Sequence, residues 1–415
     1  SKQRGAKADW YVWADPKPDG SPPNNWQSVF GGSSWEWAPE RGQYYLHNFL
    51  ISQPDLNLRN PEVQDEMLDV LRFWLDRGVD GFRLDTVNYY IHDGALRDNP
   101  PMPPDPARWP PVSTYDMQDH AYDKNRPENL DFLARMRKLL DQYENRCMVG
   151  EIGEVPHRAL PLMAEYTSGA AHLHMAYSFD MLGPNFAPAH FRKVLDGFFR
   201  AAPDGWPSWS FSNHDVNRHV TRWAKHGQQD AVAKLAISML ASFEGTIGLY
   251  QGEELGQTET DLAYEELTDP PGLRFWPENK GRDGCRTPMV WDGTAEGGFS
   301  SVKPWLPVKA PQLARNVAAQ EADPASVLHH YRAVLAFRRA SAALRTGRTR
   351  FLDLPDPVLG FRRETETESL TCLFNLGPDP VSSSGIVGTP TGPVVAATIK
   401  EGTVQLGPNG VLWLR

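Results

Sequence analysis

Three acidic residues that each follow a short apolar segment carry the chemistry that this sequence suggests. They are Asp85, Glu151 and Asp215, at the ends of residues 81–85, 147–151 and 209–215. A pair of carboxyl groups on either side of an acetal can cleave a glycosidic bond: the ionised group attacks or stabilises the anomeric carbon, and the protonated group donates to the leaving oxygen. One such acid could equally cap a helix. Capping does not explain three acids at equivalent positions.

The neighbours of these acids suggest how their charges are set. Arg83, two residues before Asp85 on the same strand face, would keep Asp85 ionised. Loss of hydration at the end of an apolar strand would raise the pKa of Glu151. A rise of ~2 units corresponds to roughly 2.7 kcal/mol and leaves the acid protonated near neutral pH. His214 beside Asp215 adds a donor for a sugar hydroxyl. The alternative, a divalent ion held by three carboxylates, lacks a histidine cluster or an EF-hand spacing.

A parallel sheet would bring the three acids to one edge. Asn60 and Pro61 predict the start of a helix and Gly78 its end, with the apolar residues Val63, Met67, Val70, Leu71 and Trp74 at helical spacing. Strands are expected at 81–85, 147–151, 172–179, 209–215 and 246–250, alternating with helices from about 127 and over 232–243. This alternation predicts an α/β fold with the acids at the carboxyl ends of parallel strands.

Residues 1–60 contain many tryptophans and tyrosines among prolines and glycines, without a long periodic element. Such a segment is either a loop-built binding wall for sugars, whose apolar C–H faces suit flat rings, or a small core with little regular structure. The spacing leaves both alternatives open, and core packing is the commoner role for any single ring.

Three later segments depart from the strand and helix alternation. Residues 86–126 form a long connection with seven prolines between positions 100 and 111, and such loops are usually functional. Residues 255–325, rich in proline and glycine, predict a large excursion on the same edge of the sheet. From about 348 onward, short alternating runs separated by turn residues predict a small antiparallel β domain.

Composition excludes several classes of protein. A chain of 415 residues can hold one large and one small domain, and a net charge of -10 argues against nucleic acid or an anionic membrane as a partner. Cys147, Cys285 and Cys372 are far apart, which predicts a reducing compartment, the cytoplasm, and no disulfide framework. No run of 18 apolar residues predicts a membrane span, and the first residues lack a signal-peptide core.

The sequence resembles a known family at several motifs. Residues 81–85 (GFRLD), Glu151 after an apolar strand and residues 211–215 (FSNHD) resemble three conserved regions of the α-amylase family of retaining glycoside hydrolases. Residues 53–57 (QPDLN) resemble the signature of its oligo-1,6-glucosidase/α-glucosidase subgroup, and residues 281–288 (GRDGCRTP) resemble another subgroup motif. The matches follow the family's order and span nearly the whole chain.

The resemblance implies a (β/α)8 TIM barrel with a loop-rich inserted domain and a C-terminal antiparallel β-sandwich. The implied boundaries are 1–60 for the inserted domain, 61–345 for the barrel with its excursion at 255–325, and 346–415 for the sandwich. Family members carry earlier motifs that this chain does not match, so we expect its first three barrel strands to be missing, or supplied by a separate N-terminal fragment.

The resemblance also assigns roles to individual residues. It implies Asp85 as nucleophile, Glu151 as general acid/base and Asp215 as transition-state stabiliser. The implied substrate-binding residues are Arg83, Thr86, Phe179, His214 and Arg282. Thr86 directly after the nucleophile suggests a preference for α-1,4 over α-1,6 bonds. No cofactor or metal ligand is expected in this chain, because a calcium or monovalent-ion site would lie in or near the missing N-terminal part.

The predicted function is an α-glucosidase that releases, or transfers, the non-reducing-end glucosyl unit of a disaccharide or short oligosaccharide with retention. One alternative is a glucosyltransferase or sucrose-isomerising relative, which shares the covalent intermediate. Another alternative, from a different class, is a non-catalytic partner subunit of a membrane transporter. Such partners usually lack the three acids and carry a membrane anchor, whereas Asp85, Glu151 and Asp215 are all present here.

Overall fold

A computed structural model describes residues 1–104, 111–224 and 227–415, and these fold into two compact units. The first unit comprises Ser1–Val155, Leu162–Ala176 and Arg274–Asn279, and the second comprises Pro156–Pro161, Tyr177–Leu273 and Lys280–Arg415. Residues 105–110, within the long connection predicted at 86–126, lie outside the described residues. The domain boundaries expected at 60/61 and 345/346 stay predictions.

The first 60 residues contain a small antiparallel sheet with its own core. Its strands are β1 (Trp13–Ala14), β2 (Trp35–Ala38) and β3 (Gln43–Leu46), in the order β1-β3-β2. Trp26 and Trp35 are buried, and their rings stack with centroids 6.0 Å apart. The indole N–H of Trp26 donates to the Arg97 carbonyl at 2.8 Å. These two aromatic residues are therefore core residues, whereas Trp37 lies on the surface.

Helix α1 (Pro61–Asp76) begins and ends where its capping residues predict. The Asn60 side chain accepts a hydrogen bond from the Glu62 backbone N–H, which satisfies one of the unpaired donors at the helix start. Gly78 follows the helix with φ +91°, a left-handed conformation that glycine adopts without steric cost. The predicted apolar stripe does not coincide with the buried face: Val63 and Leu71 are buried, but Val70 and Trp74 are exposed.

The strands that carry two of the acids pair in parallel. After α1 the chain forms β4 (Gly81–Leu84), α2 (Asn129–Leu140), β5 (Cys147–Ile152), α3 (Pro156–Thr167) and β6 (Met175–Ser178), and the sheet order is β4-β5-β6. Gly81 lies opposite Cys147, and Leu84 lies opposite Gly150. Because Asp85 and Glu151 are the next residues in this register, the two acids lie side by side at this edge of the sheet.

The second unit supplies another parallel pair. The chain continues from β6 with α4 (Pro188–Ala201), β7 (Ser208–Ser210), α5 (His219–Trp223), α6 (Gln229–Leu240), β8 (Thr246–Gly248), α7 (Pro270–Phe275), α8 (Ala310–Leu313), α9 (Val317–Glu321), α10 (Val327–Ala340) and α11 (Ala342–Thr346). Strands β7 and β8 pair with Ser208 opposite Thr246. Phe211 follows β7 and packs edge-on against Trp223 at 4.9 Å, which anchors the start of the segment that carries Asp215.

Short 3-10 turns lie between the helices and strands, and some of them come just after a strand. They are Val87–Tyr89, Thr114–Met117, Ser168–Ala170, Phe179–Met181, Glu253–Leu255, Tyr264–Glu266 and Asp283–Cys285. The turns at Val87, Phe179 and Glu253 lie within a few residues of β4, β6 and β8, at the carboxyl ends where the sequence predicts chemistry. The structure thus bends the chain back close to these strand ends.

The last 68 residues form one antiparallel sheet, as the sequence pattern predicts. Its strands are β9 (Arg348–Phe351), β10 (Val358–Glu364), β11 (Ser369–Asn375), β12 (Val381–Ser384), β13 (Pro390–Lys400) and β14 (Thr403–Leu414). The order is β12-β14-β11-β10-β9, with β13 on the other side of β14. Val358, Leu373, Val404 and Leu412 form the centre of its apolar cluster.

Among the described residues, we find no helix with the length and apolarity that crossing a membrane requires.

The register of β4 against β5 leads to a first prediction. A Cβ atom at Gly81 would lie 2.0 Å from the Cys147 carbonyl oxygen, which is backbone and cannot rotate away. Gly81→Ala should therefore lower the free energy of unfolding by about 3 kcal/mol in urea denaturation. Gly183→Ala is the control because nothing lies within 4 Å of the added atom. Equal stability of the two variants would contradict the register.

Candidate active site

Asp85 and Glu151 are joined through one arginine. The Arg83 guanidinium bonds to Asp85 Oδ1 through Nη1, and to Glu151 Oε2 through Nη2 at 2.8 Å. The two carboxyl groups are thus only one guanidinium apart. The structure therefore brings together three of the predicted site residues, and the parallel register of β4 and β5 is the reason.

The two acids have different surroundings. The Asp85 side chain is 71% exposed, whereas the Glu151 side chain is 4% exposed. Glu151 is buried, but its surroundings are not simply apolar, because the backbone N–H of Thr86 also donates to Oε2 at 3.1 Å. From the sequence, Arg83 was predicted to pair with Asp85 alone. In the structure, Glu151 is a second partner of Arg83.

Thr86 takes part in this group through its backbone. Its φ of 41° and ψ of 49° lie in the left-handed region, which is rare for a β-branched residue and costs on the order of 1–3 kcal/mol. The following turn supports this conformation: the Tyr89 N–H donates to the Thr86 carbonyl at 2.9 Å, and the Asn129 side chain donates to the Val87 carbonyl at 2.8 Å. The strained residue directs its N–H at Glu151. The sequence predicted Thr86 as a substrate-binding residue and gave no indication of this backbone role.

Asp215 belongs to a second group, within the second unit. Arg282 Nη1 and Arg286 Nη2 each lie 3.0 Å from Asp215 Oδ1, and His214 Nε2 lies 3.3 Å from Oδ2. Hydrogen bonds between ionised partners are the stronger ones. Both arginines therefore fix the carboxylate, and the structure groups the predicted residues His214, Asp215 and Arg282.

Arg282 is itself held by a buried acid, Asp269. Arg282 Nη2 donates to Asp269 Oδ1 at 2.6 Å, and the Arg282 backbone N–H donates to Oδ2 at 2.8 Å. Burial would lower the pKa of Arg282, but its bonds to Asp269 and then Asp215 raise that pKa overall. Burial would raise the pKa of Asp269, but Arg282 lowers it overall. The pair therefore stays charged, and the guanidinium has one orientation.

Two members of this second group, Arg286 and Asp269, were not predicted from the sequence. Arg286 lies within the motif at 281–288, four residues after Arg282, so the motif contained the signal although only its first arginine was named. Asp269 lies 13 residues before Arg282 and had no distinguishing signal in the sequence. The predicted Phe179 lies in the turn after β6 and is half-buried, at the expected strand end.

A buried polar cluster lies at the end of β8, again in the second unit. Glu253 and His219 are both buried, and His219 Nδ1 lies 3.8 Å from Glu253 Oε1 and 3.0 Å from Ser212 Oγ. Burial raises the pKa of Glu253 to about 8 and lowers the pKa of His219 to about 3. Both groups are therefore uncharged near neutral pH.

The metal alternative receives no support from the geometry. Within the described ranges, no three or more histidine, cysteine, aspartate or glutamate side chains are grouped so as to hold a metal ion. Arg83 already occupies the position between Asp85 and Glu151. The expectation that this chain needs no cofactor stays a prediction.

Two carboxyl groups bridged by Arg83 at the carboxyl ends of parallel strands fit the class of α/β enzymes that cleave glycosidic bonds. The model of the α-amylase catalytic domain matches residues 1–347, and this chain belongs to that family. It is 56% identical over 384 residues to a probable α-glucosidase of Rhizobium meliloti (strain 1021), covering 91% of this chain and 70% of that protein. It is 33% identical over 411 residues to an oligo-1,6-glucosidase of Heyndrickxia coagulans, and this match covers 90% of this chain and 72% of that protein.

Solved structures agree with this assignment. The α-glucosyl transfer enzyme XgtA has a TM-score of 0.94 at 46% identity, covering 100% of this chain and 78% of that one. The trehalulose synthase MutB from Pseudomonas mesoacidophila MX-45 has a TM-score of 0.84 at 29% identity, and this match covers 99% of this chain and 78% of that one. The predicted resemblance to the oligo-1,6-glucosidase/α-glucosidase subgroup and the predicted fold class, an α-amylase-type barrel with a C-terminal antiparallel β domain, are confirmed.

The buried Glu253 gives a prediction for the pH dependence of stability. Its pKa is about 8 in the folded protein, against 4.5 for the free group. The contribution of Glu253 to the free energy of unfolding is therefore fully present below pH 4.5. This contribution is lost as the pH rises towards 8, because only the unfolded chain releases the proton between these two values. Glu253→Gln should abolish this loss, so that the variant gains a few kcal/mol relative to the parent between pH 5 and pH 8.

Chemical denaturation at a series of pH values measures this difference. Glu265→Gln, at an exposed position, is the matched control and should follow the parent at every pH. A constant difference between Glu253→Gln and the parent across that range would show that Glu253 ionises normally in the folded protein.

Proposed function

We propose that this chain carries the catalytic machinery of a retaining α-glucosidase that removes the non-reducing-end glucosyl unit of short α-glucosides. The observation that carries the proposal is the Arg83 bridge between Asp85 and Glu151. Retaining glycosidases hold their two carboxyl groups roughly 5–5.5 Å apart, whereas inverting ones leave roughly 6.5–9.5 Å for a water molecule. Two groups on one guanidinium support the shorter, retaining separation.

Asp85 and Glu151 suit the two successive roles of a double displacement. The accessible Asp85 carboxylate attacks the anomeric carbon while Glu151, protonated at that stage, donates its proton to the departing oxygen. The glycosyl ester that forms on Asp85 carries no charge, so Arg83 is then left with Glu151 alone. Its positive charge favours the ionised form of Glu151, which removes a proton from the incoming water. Attack by that water restores the original α configuration.

Asp215 and its partners provide the binding groups for a glucosyl ring. Asp215 is a fixed carboxylate between Arg282 and Arg286, with the half-exposed His214 beside it. Such groups bind ring hydroxyls and oppose the positive charge of an oxocarbenium-like transition state. The match of the family model to residues 1–347, which include Asp215, supports its proposed role as transition-state stabiliser.

The names of the relatives support the substrate class. They include a probable α-glucosidase, oligo-1,6-glucosidases and a trehalose-6-phosphate hydrolase. We retain the α-1,4 preference suggested by Thr86 as part of the proposal. The substrate would be a disaccharide or short oligosaccharide.

Transfer of the glucosyl unit is the second candidate function, favoured by the 46% identity to an α-glucosyl transfer enzyme. Hydrolysis and transfer share the ester on Asp85 and differ only in whether water or a hydroxyl acceptor attacks it. The ratio of transfer product to free glucose at rising acceptor concentration separates them. The non-catalytic transporter partner is disfavoured, because the three acids are all present and two share an arginine.

Replacement of the proposed nucleophile tests the mechanism in the complete natural protein. Asp85→Asn should lower kcat for maltose on the order of 10⁴-fold or more, since no covalent ester can then form. Asp80→Asn removes an exposed acid just before the same strand and should keep parental activity. Unchanged turnover in Asp85→Asn would remove Asp85 from the mechanism.

The first-formed anomer tests the stereochemical outcome. Proton NMR during the first minutes of maltose hydrolysis should show more α-glucose than the equilibrium mixture contains, because two inversions at the anomeric carbon give retention in the glucosyl unit that is released. Accumulation of β-glucose first would indicate a single displacement by water and would contradict the role of Asp85.

A further inference from the structure

A buried cluster joins the end of the long connection to the two segments that follow Asp85 and Glu151. We call it the Lys124 cluster: Lys124, Glu154, Tyr89, Tyr115 and the Gly153 carbonyl. Lys124 Nζ donates to the Tyr89 and Tyr115 hydroxyls at 3.2 and 3.1 Å, and to the Gly153 carbonyl at 3.0 Å. These bonds use all three ammonium protons. Glu154, 3.4 Å away, balances the charge, and both side chains are almost completely buried.

The cluster contacts the backbone just after each acid. Gly153 is two residues beyond Glu151, and Tyr89 is four residues beyond Asp85. Asn88, completely buried, ties the same two segments directly: its side chain donates to the Gly153 carbonyl at 3.1 Å and accepts from the Gly153 N–H at 3.2 Å. Lys124 and Asn88 thus hold the Gly153 carbonyl from two sides.

The cluster is fixed from the side of the long connection as well. His120 stacks on the Tyr115 ring with centroids 3.7 Å apart, and its Nε2 bonds to the Tyr115 carbonyl at 2.9 Å. Its Nδ1 bonds to Asp123 Oδ2 at 2.6 Å, next to Lys124 in the chain. Burial would lower the pKa of Lys124, but Tyr89 and Glu154 raise it overall, so the ammonium group keeps its charge.

We propose that Lys124 is a positioning residue for Glu151: it joins the segment after β5 to the turn after β4 and so fixes where the Glu151 carboxyl group stands relative to Asp85. This inference rests on the proposed function. A buried ion pair adds little net stability compared with apolar groups of the same shape, so the consequence of Lys124 is geometrical. Displacement of a catalytic group by about 1 Å can cost about 10²-fold in rate.

A comparison of two leaving groups distinguishes positioning from folding. Cleavage of maltose releases a second glucose, whose departing oxygen requires the proton from Glu151, whereas the dinitrophenolate of 2,4-dinitrophenyl α-glucoside leaves without a proton. A misplaced Glu151 therefore slows maltose hydrolysis selectively. A smaller folded fraction lowers both rates by the same factor.

The main variant is Lys124→Met combined with Glu154→Gln, in the complete natural protein. Both charges are removed, because Lys124→Met alone would leave Glu154 buried without a counter-charge. We expect kcat/KM for maltose to fall at least about tenfold, and kcat/KM for 2,4-dinitrophenyl α-glucoside to fall less than about threefold. Tyr115→Phe is the second variant, and it keeps the proposal testable if the double variant fails to fold. It removes one acceptor of Lys124 at nearly constant volume and should change the ratio of the two kcat/KM values in the same direction.

The matched control is Arg348→Met combined with Glu244→Gln, a pair with an equally buried carboxylate in the second unit. This control should change kcat/KM for the two substrates by one common factor. Equal losses on the two substrates in the Lys124 variants, or no loss on either, would overturn the positioning role. Absence of turnover of both substrates by the unmodified protein would instead overturn the proposed function, and this inference with it.

Discussion

One guanidinium between two carboxylates is the interaction on which the proposed chemistry of the first unit depends. Arg83 can reach both Asp85 and Glu151 because β4 and β5 are parallel and paired with Leu84 opposite Gly150. That pairing in turn needs Gly81, where the Cys147 carbonyl leaves no space for a side chain. A shift of one residue in register would turn every side chain of β4 to the opposite face. The chemistry is therefore a consequence of strand pairing.

The second group repeats the same arrangement with different residues. Asp269 is buried and holds Arg282, and Arg282 holds the more accessible Asp215, just as the buried Glu151 and the exposed Asp85 share Arg83. In each case the buried acid loses its hydration, and the guanidinium replaces it with directed hydrogen bonds. The arginine then has little rotational freedom left, so the accessible carboxylate is already in place before a substrate arrives. Preorganisation of this kind is what electrostatic catalysis requires.

Local signals in the sequence predicted what local physics decides. Asn60, Pro61 and Gly78 marked the ends of α1 because caps and stops act over a few residues. The strand ends at Asp85 and Glu151 were equally visible. Asp269 and Lys124 were not, since their importance comes from partners far along the chain, and an isolated Asp or Lys is most often a surface residue. Val70 and Trp74 show the same limit: helical spacing identifies a stripe, but the packing around α1 decides which side is covered.

Thr86 shows how a mismatch between residue and conformation can indicate function. A left-handed turn is usually built with glycine or asparagine, and the sequence gives no reason to expect one at a threonine. The strain persists because the surroundings determine the turn from several sides: Asn129 holds the Val87 carbonyl, Asn88 holds Gly153, and Glu151 accepts the Thr86 N–H. A glycine would adopt this turn without strain but would add conformational freedom to the residue beside Asp85. The threonine keeps the backbone at the nucleophile in one conformation, and the buried amides around it compensate for the strain.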